Sequence, residues 1–395
     1  MGEMNLKEVN IPKFHSMVKF AMKMGMNDPS TMRPVLGLGA PGIGKTEGIA
    51  QLASELGVGY KEIRLVNTSE AELIGIPYQK ELANGSMVTE YAPLQILPIE
   101  ERDGEQGILV LDEITSCSKS LRTACFQLTD GQRKLGNYQL PKGWLVVALG
   151  NGISDGGNFV GLEQAFINRF RALRVKADYD VWKKWAIAKE VNGNIVAFLN
   201  MNRDAFMTFN PDTCDESEQF ASPRSWKSFS DMLNFAEKEA SESSTELDEE
   251  TIDIYACSTV GENIGHRFSA FYKYHNSDIN LDDIFNDKVT ADQLEKLRLE
   301  SLNMLQQNVV REYGRRMKEA CPDKGVTEEG YKLTCSAMRF AFMCPTQDMR
   351  VFTLRDLQVA SGNRMNQVFM QTRFIESELG KRFDEMVDQL SDVLS

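Results

Sequence analysis

The stretch Gly39-Ala40-Pro41-Gly42-Ile43-Gly44-Lys45-Thr46 limits what this 395-residue chain can fold into more than any other. The apolar run Pro34 to Leu38 before it reads as a short buried strand. Lys45 to Leu56 after it has the apolar spacing of a helix that stops at Gly57, a residue suited to a helix C-cap. A turn with the spacing Gly-x4-Gly-Lys-Thr between a strand and a helix is built to wrap phosphate oxygens. Its glycines let backbone N–H groups point inward, and the positive end of the following helix adds to their field. In that frame Lys45 reaches the β- and γ-phosphates of a nucleoside triphosphate, and Thr46 offers its hydroxyl to Mg²⁺.

Around this loop the patterning alternates. Pro12 to Met24 repeats apolar residues at helical spacing, and Lys61 to Val66 reads as a second strand. Further strands are expected at Gly107 to Leu111, Trp144 to Leu149 and Ala172 to Val175, with helical patterning such as Ser120 to Thr129 between them. Such alternation predicts an α/β fold, a parallel sheet covered by helices. Two hairpins interrupt it: Tyr78 to Tyr91 carries the two-residue turn signal Asn84-Gly85, and Arg133 to Leu140 turns at Gly136-Asn137.

From Val181 onward the pattern becomes helical, over Trp182 to Asn200, Arg224 to Glu237 and Thr251 to Tyr274. The Ser- and Glu-rich stretch Lys238 to Glu250 reads as a solvated loop or frayed helix end. Beyond Asn276, long helices are expected at Ala291 to Lys318, Glu328 to Phe342 and Gln371 to Val393. The expected division is an α/β core over 1–178 with inserts near 78–91 and 133–140, a small helical domain over 179–276, and a C-terminal helical extension over 277–395.

The run Ile108 to Leu111 ends in Asp112-Glu113, which places two carboxylates at the C-terminal edge of a buried strand, where open α/β sheets bind ligands. Asp112 is suited to hold Mg²⁺ through its water shell, and Glu113 to polarise an attacking water as general base. Asn151, after the strand Leu145 to Leu149, offers an amide to orient that water or to bond the terminal phosphate. Cleaving that phosphate also calls for positive charge. Arg169, in Asn168-Arg169-Phe170, is one source, directed into a neighbouring subunit's site. Arg224, in Ser222-Pro223-Arg224-Ser225-Trp226, opens a helix of the second domain and is placed to close over the nucleotide.

Charge and composition narrow the field. With 44 Lys and Arg against 57 Asp and Glu, the net charge of −13 argues against a general nucleic-acid binder. Seven cysteines without a Cys-x-x-Cys pair, and three histidines, favour reduced buried thiols over a metal site. No apolar run reaches bilayer-spanning length, so no membrane partner is expected. The opening MGEMNLKEVN lacks a signal-peptide core, so a cytoplasmic location is expected.

Together these motifs resemble the AAA+ ATPases, and within them the MoxR-like, dynein-related branch. The likeness extends to Glu70-Ala71-Glu72-Leu73-Ile74-Gly75-Ile76-Pro77, Leu135-Gly136-Asn137-Tyr138-Gln139-Leu140-Pro141, Leu149-Gly150-Asn151, Trp182-Lys183-Lys184-Trp185-Ala186 and Val260-Gly261-Glu262, and spans about Arg33 to Tyr274. It implies a five-stranded P-loop core with a helical lid over 179–276, assembled as a homo-oligomeric ring, usually hexameric, with sites shared between neighbours. It implies ATP and Mg²⁺ as cofactors. The loop residues Gly39, Pro41, Gly42, Ile43, Gly44, Lys45 and Thr46 match Walker A, and Asp112 and Glu113 match Walker B. Asn151 resembles sensor 1, Arg169 the arginine finger and Arg224 the sensor 2 arginine; the finger role is also open to Arg171 and Arg174.

The two hairpins resemble inserts facing the ring's pore or axial surface. The resemblance further implies chaperone-like remodelling of a protein client, commonly one bearing a von Willebrand factor A domain. Two rival readings are a nucleic-acid motor or restriction-type NTPase, disfavoured by low basicity, and a slow-turnover nucleotide-gated scaffold, disfavoured by Glu113 and Asn151.

Overall fold

The computed structural model describes residues 6–28, 31–92, 95–152, 162, 164–211, 218–243, 245, 247–275, 279–323 and 325–394. They divide into two compact units, one of residues 1–178 with 209–216 and 222–224, the other of residues 179–208, 217–221 and 225–395.

The first unit is built on a parallel sheet. In chain order its elements are β1 (Glu8–Val9), α1 (Ile11–Asn27), β2 (Val35–Leu38), α2 (Lys45–Leu56), β3 (Gly59–Arg64), α3 (Glu70–Ile74), the hairpin β4 (Ile76–Glu81) and β5 (Met87–Ala92), and α4 (Glu100–Asp103). Then come β6 (Gln106–Asp112), α5 (Lys119–Thr129), the hairpin β7 (Lys134–Leu135) and β8 (Tyr138–Gln139), β9 (Gly143–Gly150), α6 (Gln164–Ile167) and β10 (Arg171–Val175). The main sheet runs β1-β10-β2-β9-β6-β3, with every pairing parallel. Strands β2, β6 and β9 are buried along almost their whole length, as strands covered on both faces must be.

Among the described residues the sheet therefore has six strands where the family resemblance implies five. The addition is β1, which pairs Glu8 with Arg174 and Val9 with Val175. Two residues are too few to show a period, and only their partner makes them a strand. The helix starts follow local chemistry: the Asn10 side chain accepts the Lys13 N–H ahead of α1, with Pro12 in its first turn, and Ser69 and Glu72 form a reciprocal capping box at α3. The loop of the first hairpin is longer than a two-residue turn. The ladder ends at Glu81 and Met87, and Asn84 uses its side chain to accept the Ser86 N–H, which holds a five-residue loop. The second hairpin turns on Gly136, at φ 55°, and Asn137.

The second unit is helical: α7 (Tyr179–Ala188), α8 (Gly193–Met201), most of α9 (Pro223–Ser243), α10 (Glu249–Val260), α11 (Glu262–His275), α12 (Leu281–Phe285), α13 (Ala291–Glu295), α14 (Leu299–Ala320), α15 (Glu328–Met343), α16 (Gln347–Ser361), α17 (Arg364–Phe369), α18 (Thr372–Ile375) and α19 (Glu378–Leu394). Within the stretch read as loop or frayed end, α9 continues to Ser243, and Ser244 and Glu246 lie outside the described residues. Phe198, Trp226, Phe229 and Phe268 pack as one aromatic cluster, with Phe229 and Phe268 edge to face at 4.9 Å.

A larger apolar core joins α7, through Ile187, to Leu305 and Tyr313 of α14, Phe340 of α15 and Leu357 of α16. Polar ties reinforce it, since the Asn303 amide donates to the Ala197 carbonyl at 2.8 Å and the Asn308 amide to the Asn194 side chain at 2.8 Å. Residues 279–394 thus pack with α7 and α8 in one unit. The expected helix Ala291 to Lys318 is split into α13 and α14 between Leu294 and Leu302, both of which are buried by packing that no local breaker announces.

Six cysteines among the described residues are free thiols, five of them buried; Cys214 lies outside the described residues. Among the described residues, no helix is long and apolar enough to cross a membrane.

Candidate functional site

Strand order places the chemistry. The chain leaves β2 for the far edge at β3, returns through β6 and β9, and then crosses to β10 on the other side of β2, so the direction of winding switches at β2. Because β9 lies between β2 and β6, the C-terminal ends of these three strands bring Gly39, Asn151 and Asp112 to one edge.

At that edge the glycine-rich loop turns through Gly42 at φ 76° and Gly44 at φ 92°, left-handed conformations that favour glycine. Gly44 is also the N-cap of α2 and supplies no side-chain cap, and the start of that helix lines the cleft, where its positive end favours an anion. Two glycines are required by close packing: a Cβ on Gly39 would lie 2.2 Å from the Val175 carbonyl oxygen, and one on Gly42 would lie 2.7 Å from Ser222 Oγ.

The Lys45 ammonium is buried and donates to the carbonyls of Gly39 at 2.7 Å and Ala40 at 2.8 Å, with Asn151 Oδ1 at 3.5 Å. The Thr46 hydroxyl donates to Asp112 Oδ2 at 3.0 Å, and the Glu113 N–H donates to the other carboxylate oxygen of Asp112 at 3.0 Å. Burial pushes the Asp112 carboxyl above the usual carboxylate range, against the pull of these two donors. A carboxylate and a hydroxyl meeting in a half-buried place are the hard oxygen donors that Mg²⁺ takes, and a cation there would offset the cost of keeping Asp112 charged.

Glu113 stands at φ 58°, left-handed and exposed, where the strand breaks into the following turn. The cleft is lined by Pro41 to Thr46, Asp112, Glu113, Ser116, Gly150, Asn151 and Arg224. The Arg224 N–H donates to the Gly42 carbonyl at 3.0 Å, and its guanidinium pairs with Glu47 Oε1 of α2 at 3.1 Å.

Arg169 lies outside this lining. It is exposed, with its guanidinium over the Phe126 ring at 5.0 Å. Arg171 is turned inward and donates to the carbonyls of Arg33 at 2.9 Å and Thr31 at 3.3 Å, while Arg174 sits in the β10 ladder opposite Glu8. A larger hollow lined by Gly25, Ile99, Gln106, Tyr138 and Gly143 lies at the N-terminal ends of β6 and β9, away from these groups.

Two contributors carry no motif of their own. Thr115 is fully buried and its Oγ1 accepts the Asn151 N–H at 3.0 Å, while Gly150 is pressed so close that a Cβ there would meet Thr115 at 2.6 Å. Glu47 is the in-chain partner of Arg224. Their position beside Asp112-Glu113 and Lys45-Thr46 is the only sequence signal they offer.

Residues 34–170 match the family described as the AAA domain of the dynein-related subfamily, a span that holds every residue lining the cleft except Arg224. Similar solved structures include NtrX from Brucella abortus in complex with ADP, at 12% identity and TM-score 0.28, covering 94% of this chain and 67% of that one. A RuvB mutant from Thermotoga maritima aligns at 14% identity and TM-score 0.30, covering 93% of this chain and 91% of that one. No curated protein matches the chain in sequence.

Proposed function

Taking residues 34–170 as an AAA domain of the dynein-related subfamily, we propose that the chain is a Mg²⁺-dependent, MoxR-like ATPase that works as a homo-oligomeric ring, hexameric in number, to remodel a protein client. The observation that carries the reading is the junction of Thr46 and Asp112, which ties the phosphate loop to the acidic strand with Asn151 beside Lys45. Thr46 and Asp112 would hold Mg²⁺, which would supply charge neutralisation at the phosphates.

In this reading the N–H groups at the start of α2 and the Lys45 ammonium bind the phosphates. Glu113 takes a proton from the attacking water as its oxygen bonds to the γ-phosphorus, and ADP leaves with the β-phosphate oxygen. The Asn151 amide orients that water, with Thr115 fixing the backbone that carries it. Arg224 closes on the phosphates from the cleft lining. Arg169 acts in a neighbouring subunit, a role supported by its exposure beside an inward-turned Arg171.

A protein client is favoured by the β4–β5 hairpin, which holds Ile76, Tyr78 and Met87 in solvent at 61%, 44% and 57% exposure; the family resemblance alone points to the von Willebrand factor A class. The test is Glu113→Gln in ATP. It should bind nucleotide without turnover and elute as a ring that retains the client. A monomer under those conditions, or wild-type turnover that rises only with DNA, would overturn the reading.

A further inference from the structure

Three titratable side chains converge in the second unit, far along the chain from the phosphate loop. Asp253 and Cys257 stand one turn apart on α10, and His266 faces them from α11. Their ligand-type atoms, one from each residue, all lie within 4.8 Å of one another. His266 Nδ1 is 2.9 Å from Asp253 Oδ1 and 3.7 Å from Cys257 Sγ. Zinc bonds of about 2.0–2.3 Å at tetrahedral angles space their ligand atoms about 3.3–3.8 Å apart, so small side-chain adjustments suffice.

The helices are built to meet here. Gly261, at φ 90°, ends α10 and lets the chain double back into α11. Gly265, next to His266, lies so close to α10 that a Cβ on it would come within 2.5 Å of the Cys257 backbone nitrogen and 2.6 Å of its sulfur. Any larger residue at 265 would push the imidazole away from the thiol. The Cys257 sulfur is also held at 3.7 Å from the Glu262 carbonyl oxygen.

We propose that Asp253, Cys257 and His266 form a binding site for a zinc-class divalent cation that clamps α10 to α11, with water as the fourth ligand. A thiolate, an imidazole and one carboxylate form a donor set for a borderline-soft ion, whereas Mg²⁺ and Ca²⁺ take oxygen. The histidine is oriented as a metal ligand should be. Nδ1 faces both other ligands, and Nε2 is turned to the side of Glu262, whose Oε1 lies 3.8 Å away, where a small side-chain adjustment would make it an outer carboxylate.

That geometry also separates the site from a nucleophilic cysteine triad. A relay needs acid and thiol hydrogen-bonded to opposite ring nitrogens, and here the near carboxylate, Asp253, shares Nδ1 with the thiol, while Glu262 lies beyond hydrogen-bond reach of Nε2. The half-exposed His266 side chain, at 57%, leaves a path for the ion and for the water ligand. Asp248 and Glu250 line the adjoining hollow and add attractive charge, while Glu249 beside them is paired with Lys273.

The test is a Co²⁺ titration of the full, reduced chain with Mg·ADP present, so that the oxygen-lined cleft is filled. Binding at the site produces a sulfur-to-cobalt charge-transfer band and tetrahedral d–d bands at one ion per chain, both removed by stoichiometric Zn²⁺. Cys257→Ser abolishes the sulfur band, and His266→Ala weakens Zn²⁺ binding at least about tenfold, with nucleotide binding unchanged in both. Should Cys257→Ser not fold, His266→Ala carries the test, because its ring is half in solvent. Absence of a sulfur–cobalt band in the wild type, or variants that hold Zn²⁺ as tightly as the wild type, overturns the proposal and leaves Asp253 and His266 as a surface ion pair.

Discussion

Thr46 and Asp112 stand 66 positions apart in sequence and meet through a hydrogen bond of 3.0 Å, so the first turn of α2 and the last residue of β6 form one corner. That corner predicts how metal dependence fails. Asp112→Asn keeps an oxygen for the Thr46 hydroxyl but loses the charge. The Mg²⁺ concentration for half-maximal ATP turnover should rise at least about tenfold, while nucleotide binding without metal stays near the wild-type value. Turnover measured across a Mg²⁺ series decides it.

Glu113→Gln should lower turnover by about 10²–10⁴, the usual worth of a positioned general base, with ATP binding retained. Glu113 makes this test clean because it is exposed. Paired binding and single-turnover measurements are the readout, and parallel losses in both would contradict the assigned role.

Thr115→Val keeps the shape of a fully buried side chain but removes the acceptor of the Asn151 N–H. Leaving that donor unpaired costs about 1–3 kcal/mol. The backbone bearing Asn151 should relax, and turnover should drop more than ADP affinity. Equal losses would mean that Thr115 shapes the binding loop instead.

In the second unit, Lys183 and Asp356 pair at 2.5 Å with side chains only 13% and 6% exposed, and the Gln307 amide also donates to Asp356 at 3.1 Å. Lys183→Met strands a buried carboxylate and should destabilise the unit by about 3–5 kcal/mol. Adding Asp356→Leu should recover most of that loss. Chemical denaturation of the two variants gives the comparison.

His15 on α1 packs against Gly48 of α2, its buried Nε2 without a hydrogen-bond partner among the described residues and its pKa lowered from the ordinary 6.5 chiefly by burial. The unfolded chain takes up a proton that the folded one resists. Stability from this group is therefore present above pH 6.5 and is lost as the pH falls through 6.5 toward the depressed value. His15→Gln should flatten the pH dependence of the denaturation midpoint between neutral and mildly acid pH; an unchanged slope would assign that dependence to other groups.

How much of this is legible in the sequence depends on how local each cause is. The phosphate loop, its flanking strand and helix, and Asp112 at a strand end are written in contiguous residues, as is the turn at Gly136-Asn137. Strand β1 is not, because Glu8 and Val9 become a strand only by pairing with Arg174 and Val175. The joining of 279–394 to α7 and α8 rests on contacts such as Asn308 with Asn194, more than a hundred residues apart, and mixed surface charge on α14 hides the buried face opposite. Thr115 escapes for the same reason, since its value lies in a partner on β9's far end.

Lys45 already has a seat. Its ammonium rests on the Gly39 and Ala40 carbonyls of its own loop, so an arriving phosphate trades for a partner and does not recruit a wandering side chain. The rotamer entropy of a long lysine, up to about 2 kcal/mol, is lost at folding and not again at each round of binding. Such a loop resembles a loaded latch. Changes that soften its backbone, at Pro41 for instance, should blunt nucleotide capture even though every phosphate-facing group is kept.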